Sequence, residues 1–484
     1  MVGFLSQTPI ITGQSFHNLN FEHFCDSSKT SLCHWDLSWG YKTKSISIDT
    51  TSKNGSLLIE NENEAAIGFV EQSAFFDLPQ ELKIITFSGK IKTENIRGKG
   101  AGLSISILDR QGNYLFSEHM GNGTLSGVSG TTAWKEFEIQ AVSDSNAFLI
   151  KIGAIVYGKG KAWFDDFSFN VELVGDRQSN ELSYKYIDYV CNIIEQHSLM
   201  RGSIDLPALK SDALKIAGQA SKYSDCHLAV QYLIKSLGDH HSFLMKPETV
   251  QNWQTGSRGM SSAKNITFAT HEMKDSFGYI VVPGFHSNDP GSKIAYADTI
   301  QNALKYFDNK GIKGWIIDLR KNDGGNMEPM LAGLGPLFDA EILGYLVDVN
   351  GQKNAWGYKN GAPFSDNEPG ESATSPIELA NQNLPIAVLI GPNTGSSGEI
   401  IVISFIGNKK TKFFGNPTWG ISTGNGEFDL LDGSKLFLTS TIMADRTGKI
   451  YGGKIFPDDL VEESSSNEDL TLQRAIQWLK EFEY

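Results

Sequence analysis

The hydrophobic period of this chain changes near residue 180, and that change bounds what the chain can fold into. In GLSISILD (102–109), Leu103, Ile105 and Ile107 alternate with Ser104 and Ser106. That is the period-2 pattern of a half-buried strand. FEIQAV (137–142) and AFLIKIGAIVY (147–157) read the same way, with Gly, Asn and Asp clusters between them. Many short strands at such spacing predict an all-β sandwich or jelly roll over residues 16–173. Beyond the polar bridge VGDRQSNEL (174–182), Tyr186, Ile187, Val190, Ile193 and Ile194 fall at three- and four-residue spacings, which marks an amphipathic helix. LPALKSDALKIAGQ (206–219) and CHLAVQYLIKSLG (226–238) continue in that period and predict a helical segment over 180–250. From about 270 to 484, buried strands such as GWIIDLR (314–320) and PIAVLIG (385–391) alternate with helices such as 292–311 and 470–482. That order predicts a largely parallel α/β core.

Composition excludes several classes of partner. A net charge of −14 offers no basic field to draw in a nucleic acid backbone. No run of 18 apolar residues is present, so no transmembrane helix is expected. The opening MVGFLSQTPIITGQSF lacks a basic stretch followed by an apolar one. Periplasmic or extracellular placement follows if a signal peptide has been removed, and cytoplasmic placement otherwise. Cys25, Cys33, Cys191 and Cys226 form no C-x-x-C pair, so no zinc site, and no cofactor, is expected. Cys25 and Cys33 are spaced either to bridge a hairpin or to remain two free thiols.

Three short motifs carry the candidate chemistry: LGDHHSFL (237–244), DLRKNDGG (318–325) and TGSSGE (394–399). Each has an ordinary structural use. A histidine pair in a loop is usually solvated, N-D-G-G is a turn, and Ser396 with Glu399 is spaced as a capping box. Together they supply what acyl transfer needs. A serine hydroxyl needs a base to take its proton, and histidine is the natural base near neutral pH. A Gly-Gly turn presents backbone N–H groups to an oxyanion without side-chain obstruction. A helix starting near Ser396 adds free N–H groups of its own. Ser396 therefore sits at a strand-to-helix turn with the logic of a nucleophile elbow.

The ordered set L-x-D-x-H-[ST], D-L-R-x-N-x-G-G and T-x-S-x-x-E resembles the C-terminal processing (tail-specific) protease family. GYIVVPGF (278–285) and DRTGKIYGGKIFPDD (445–459) add to that likeness. The resemblance covers about residues 180–480 and implies a crotonase/ClpP-like α/β core. It implies Ser396 as nucleophile, with oxyanion donors at Ser397 and at Gly325 or Gly324. The family's Ser/Lys branch carries a lysine where PTWGISTGN (417–425) has Ile421. The chain is therefore more similar to the tricorn core protease and interphotoreceptor retinoid-binding protein branch, which places the base at His241. In tricorn-like members a glutamate before the P-D pair orients the histidine. Here Tyr451–Lys454 holds no carboxylate, so Asp445 is the preferred third member, with Asp239, Glu399 or a backbone carbonyl as alternatives. Too few residues separate Phe243 from Phe277 for the PDZ domain of processing proteases, and NWQTGSRGMSSAKN (252–265) reads as a polar surface loop. The closing segment GKGKAWFDDFSFNVEL (158–173) resembles the last strand of carbohydrate-binding-module-like jelly rolls.

The expected function is a serine peptidase acting on a peptide or protein, with the jelly roll as an accessory domain. The alternatives are a non-catalytic ligand- or sugar-binding protein on the same fold, and an esterase. Carbohydrate would meet the N-terminal domain through Trp35, Trp39, Trp134 or Trp163, whose competing use is core packing.

Overall fold

In the computed structural model the described residues are 16–25, 32–49, 55–75, 81–122, 125–143, 146–255, 266–366, 368–462 and 468–482. Contacts divide the chain into two units. One runs to Cys191 and adds Asp205–Ser236; the other comprises Asn192–Ile204 and everything from Leu237 onward. The helical segment expected over 180–250 is thus shared between them.

The first unit is built on an eight-stranded sheet in which every pairing is antiparallel. Its axis is two long strands, Lys83–Leu108 and Leu149–Leu173, paired along their whole length. The separate strands read from 147–157 and 158–173 are one continuous strand. The pairing register shifts around Arg97 and Gly100, opposite Gly158. Gly158 has φ +102°, and a Cβ there would stand 2.0 Å from the Arg97 carbonyl oxygen. Only glycine lets the two strands bend together at that point. Leu103, Ile105 and Ile107 are buried as expected, in one core with Phe87, Ile150, Ile152 and Phe164, but the strand is not half-buried: Ser104 and Ser106 on its other face are buried as well.

Two of the tryptophans considered as sugar platforms are core residues. Trp35 and Trp163 are buried, and their indole N–H groups donate to the Asn18 carbonyl at 2.9 Å and to Asp49 Oδ2 at 2.7 Å. Trp134 is exposed, and the Trp39 side chain lies outside the described residues. Cys25 and Cys33 form a disulfide, while Cys191 and Cys226 are buried thiols outside any disulfide. Helix Leu206–Ala217 is capped by Asp205, whose side chain accepts the Ala208 N–H, and is followed by helix His227–Ser236.

The second unit holds a six-stranded sheet ordered Thr270–Lys274, Phe277–Val281, Gly314–Asp318, Ile386–Ile390, Thr411–Gly415, Asp459–Leu460. All its pairings are parallel except that of the first two strands. Both faces are covered, which is why these strands read as continuous apolar runs. Ile316, Ala387 and Leu389 pack under helix Leu470–Lys480 through Ala475 and Leu479. On the other face Trp315, Ile317, Val388 and Ile390 join residues of helices Pro290–Asp308, Met327–Leu334 and Ser397–Phe405.

A largely parallel core was expected, but the unit contains a second, seven-stranded sheet that is antiparallel throughout. In it, Lys435–Asp445 pairs with Ile342–Asp348, with Thr423–Asp429, and with the short strand Phe243–Met245. The supposed surface loop 252–265 begins as helix, Pro247–Thr255; residues 256–265 lie outside the described residues.

One ion-pair network fastens the end of strand Gly314–Asp318. Arg320 forks onto both oxygens of buried Asp318 and onto both oxygens of Asp469, the cap of the last helix. Tyr279 Oη donates to Asp318 Oδ2 at 2.6 Å. Removing the cation from a buried carboxylate leaves an uncompensated charge. Arg320→Ala should lower unfolding stability by about 3 kcal/mol, read as a drop in the urea midpoint; an unchanged midpoint contradicts this.

Candidate active site

Strands Gly314–Asp318 and Ile386–Ile390 are parallel neighbours, with Asp318 opposite Leu389. The loops leaving their carboxyl ends therefore run side by side, at the place where open α/β sheets collect their ligands. The first loop carries Gly324 and Gly325; the second carries Ser396.

Ser396 precedes helix Ser397–Phe405 with φ +50° and ψ −120°. A non-glycine residue there is strained. Two anchors hold it. Its N–H donates to Glu399 Oε2 at 3.1 Å, and the preceding Gly395 N–H donates to the Asn322 carbonyl at 3.0 Å. Strain of this kind aims the hydroxyl out of the turn.

Asn322 is fully buried in the first loop. Its Oδ1 accepts the Gly324 N–H at 3.1 Å, and its Nδ2 donates to the Val282 carbonyl at 3.2 Å. Ser397 Oγ donates to the Gly325 carbonyl at 2.5 Å, which fixes the helix start against the Gly-Gly turn. Among the described residues, no hydrogen bond is drawn from the N–H of Gly325 or Ser397 to another protein group.

His241 lies two residues before strand Phe243–Met245, so pairing with Lys435–Phe437 fixes the loop that bears it. Asp239 Oδ1 accepts the N–H groups of His241 and Ser242 at 2.9 and 2.8 Å. Asn425 Nδ2 donates to the His241 carbonyl at 2.8 Å. The ring then bridges two hydroxyls: Nε2 is 3.0 Å from Ser396 Oγ and Nδ1 is 2.8 Å from Thr423 Oγ1. Burial holds the imidazole below its ordinary value of 6.5, and the nearby Asp239 carboxylate offsets this in part. A neutral ring is therefore favoured near neutral pH. His240 precedes it at φ +56°.

Asp445, expected as the group behind His241, is engaged elsewhere. Its Oδ1 accepts from the Thr447 hydroxyl at 2.6 Å and the Lys449 N–H at 3.2 Å, and its Oδ2 from Tyr451 Oη at 2.9 Å. It closes the turn after its strand and makes no hydrogen bond to the ring. Glu399 is also committed: besides Ser396 it accepts from Thr418 Oγ1 at 2.6 Å, Gly420 N–H at 3.2 Å and Ile421 N–H at 3.1 Å. Burial pushes this carboxyl up to about 7, while those donors pull it down. Ile421 sits beside Gly395, on the side where the resemblance places a lysine. Sequence reasoning passed over Thr423 and Thr418; Asn322 was visible only as the fixed asparagine of a motif, with no role. No cluster of metal-binding side chains occurs among the described residues.

Residues 276–461 match the family described as Peptidase family S41. The chain is 29% identical to the nisin-resistance protein of Lactococcus lactis subsp. lactis over 69% of its own length and 96% of that protein. It is 26% identical to a carboxyl-terminal-processing protease of Synechocystis, over 42% of this chain and 44% of that one. It thus spans less than half the length of that processing protease. Among solved structures, a lipoprotein from Streptococcus agalactiae superposes with a TM-score of 0.51 at 28% identity, over 62% of this chain and 97% of that one.

The Gly-Gly turn gives a sharp test of the geometry. Gly324 has φ +101°, and a Cβ there would stand 2.8 Å from Ser396 Cβ and 2.8 Å from the Gly395 carbonyl. Gly324→Ala should displace the Ser396 turn and lower its labelling by a fluorophosphonate about 100-fold, with circular dichroism preserved. Labelling at the wild-type rate refutes this.

Proposed function

Residues 276–461 are a peptidase family S41 domain, and from that premise we propose that this chain is a serine peptidase that forms an acyl-enzyme on Ser396 with His241 as general base. The observation that carries the proposal is the 3.0 Å approach of His241 Nε2 to Ser396 Oγ. His241 Nε2 takes the hydroxyl proton as Oγ attacks the scissile carbonyl carbon. The oxyanion is received by the N–H groups of Ser397 and Gly325. Gly325 is preferred to Gly324 because the Gly324 N–H is already given to Asn322. The imidazolium returns its proton to the departing amine as the C–N bond breaks. Water, deprotonated by the same ring, then cleaves the ester.

The parts are joined by hydrogen bonds. Strain at Ser396 presents the hydroxyl, the helix start adds its positive end, and burial keeps the base neutral and ready. The S41 match supports a peptide or protein as substrate. The relative named for nisin resistance makes nisin a sensible member of the first peptide panel. The Cys25–Cys33 disulfide supports an oxidising compartment. We assign the N-terminal β unit an accessory role.

A second reading has one observation in its favour: His241 Nδ1 meets a hydroxyl and not a carboxylate, as in a site retired to ligand binding. Turnover separates the two. Ser396→Ala and His241→Ala should each lower hydrolysis of a defined peptide mixture by at least about 1000-fold, with fluorophosphonate label lost from the Ser396→Ala protein. Persistent label in Ser396→Ala ends the assignment; ligand binding without turnover in the wild type favours the second reading.

The pH profile follows from the base. Because the neutral ring is the active form and burial depresses its pKa, kcat/KM should fall only as pH drops below about 6.5. Asp239→Asn removes the group that raises the His241 value, so its acid limb should move to still lower pH. A limb at higher pH in that variant contradicts the reading.

A further inference from the structure

We propose that Thr423 is the positioning residue of His241, a neutral hydroxyl standing where serine hydrolases usually place a carboxylate. This rests on the Ser396–His241 reading and extends it to the group behind the base. Thr423 opens strand Thr423–Asp429 and is paired with Ile442. Its N–H donates to the Ile421 carbonyl at 2.7 Å, and Met443 N–H donates to the adjacent Ser422 carbonyl at 3.1 Å. The hydroxyl is therefore carried on backbone fixed by a tight local turn on one side and by pairing with strand Lys435–Asp445 on the other. Two residues along the same strand, Asn425 grips the His241 carbonyl at 2.8 Å and in turn accepts from Thr439 Oγ1 at 3.0 Å. One strand thus holds both the main chain and the ring of His241.

No carboxylate among the described residues is drawn in hydrogen bond to that ring. Asp445 serves its own turn, Glu399 serves the loop 418–421, and Asp239 serves the backbone of 241–242 and the Ser242 hydroxyl. For Nε2 to accept the serine proton, Nδ1 must carry the other proton, and Thr423 Oγ1 at 2.8 Å is its acceptor. A hydroxyl can fix this tautomer and the ring plane. It places no counter-charge in contact with the imidazolium formed during acylation; among the described residues the field of Asp239 favours that charge.

The experiment combines kinetics with nitrogen-15 NMR of the His241 ring. Thr423→Val keeps the shape and removes the acceptor; it should lower kcat about 10- to 100-fold with KM within about 2-fold. Thr423→Ser should restore most of that loss, and Thr423→Asp should move the acid limb of kcat/KM to higher pH. Unfolding midpoints identify any variant that fails to fold, and Thr423→Ser then carries the comparison. The ring shifts should report a proton on Nδ1 in the wild type and its partial transfer to Nε2 in Thr423→Val, whether or not peptide is cleaved. That readout separates failure of this proposal from failure of the serine-histidine assignment. A wild-type ring protonated on Nε2 alone overturns the proposal. So do an unchanged kcat and pH profile in Thr423→Val, or an equal loss in Thr423→Ser.

Discussion

The serine turn and the glycine pair of the candidate site depend on how Asn322 is held. Its carbonyl takes the Gly395 N–H, its Oδ1 takes the Gly324 N–H, and its Nδ2 donates to the Val282 carbonyl. One fully buried residue, through its main-chain carbonyl and its side chain, therefore ties the ends of three neighbouring strands. Buried amides are costly unless satisfied; the Asn322 side chain is satisfied by Gly324 and Val282, and its main-chain carbonyl is satisfied by Gly395. The strained turn at Ser396 and the paired glycines are thus set by a polar contact beneath them, in addition to the apolar core around Ile317, Val388 and Ile390.

Glu399 works from the other side. It gathers donors from Ser396, Thr418, Gly420 and Ile421, and so couples the first helical turn to the loop beside Gly395. Its spacing in the sequence is that of a capping partner, and capping is part of what it does. The larger part is bracing a wall of the site, which requires knowing that residues 418–421 return to it.

The sequence made some parts legible for plain physical reasons. The six-stranded sheet could be read because strands buried on both faces are apolar throughout, as in GWIIDLR and PIAVLIG. Ser396, His241 and the glycine pair could be read because loops with fixed chemistry leave motifs. The seven-stranded antiparallel sheet could not: KNAWGYK and TGNGEFD mix glycine, charge and aromatics without a clean period. Thr423 was hidden for the same reason, since a threonine in a strand is what β-propensity alone would supply. Asp445 is a carboxylate near the segment where the resemblance places a glutamate, but the turn from Asp445 to Tyr451 consumes it. The long strands Lys83–Leu108 and Leu149–Leu173 were broken into pieces by their glycines, which in fact mark bends within continuous pairing.

The left-handed backbone at Ser396 has a consequence for descent. An L-residue in that region costs on the order of 1 kcal/mol relative to glycine, so a serine there carries a standing thermodynamic cost. A lineage that no longer needed its hydroxyl would gain stability by drifting to glycine at this one position. The residue found there in any cousin of this chain is therefore a record of whether selection still asks it to work.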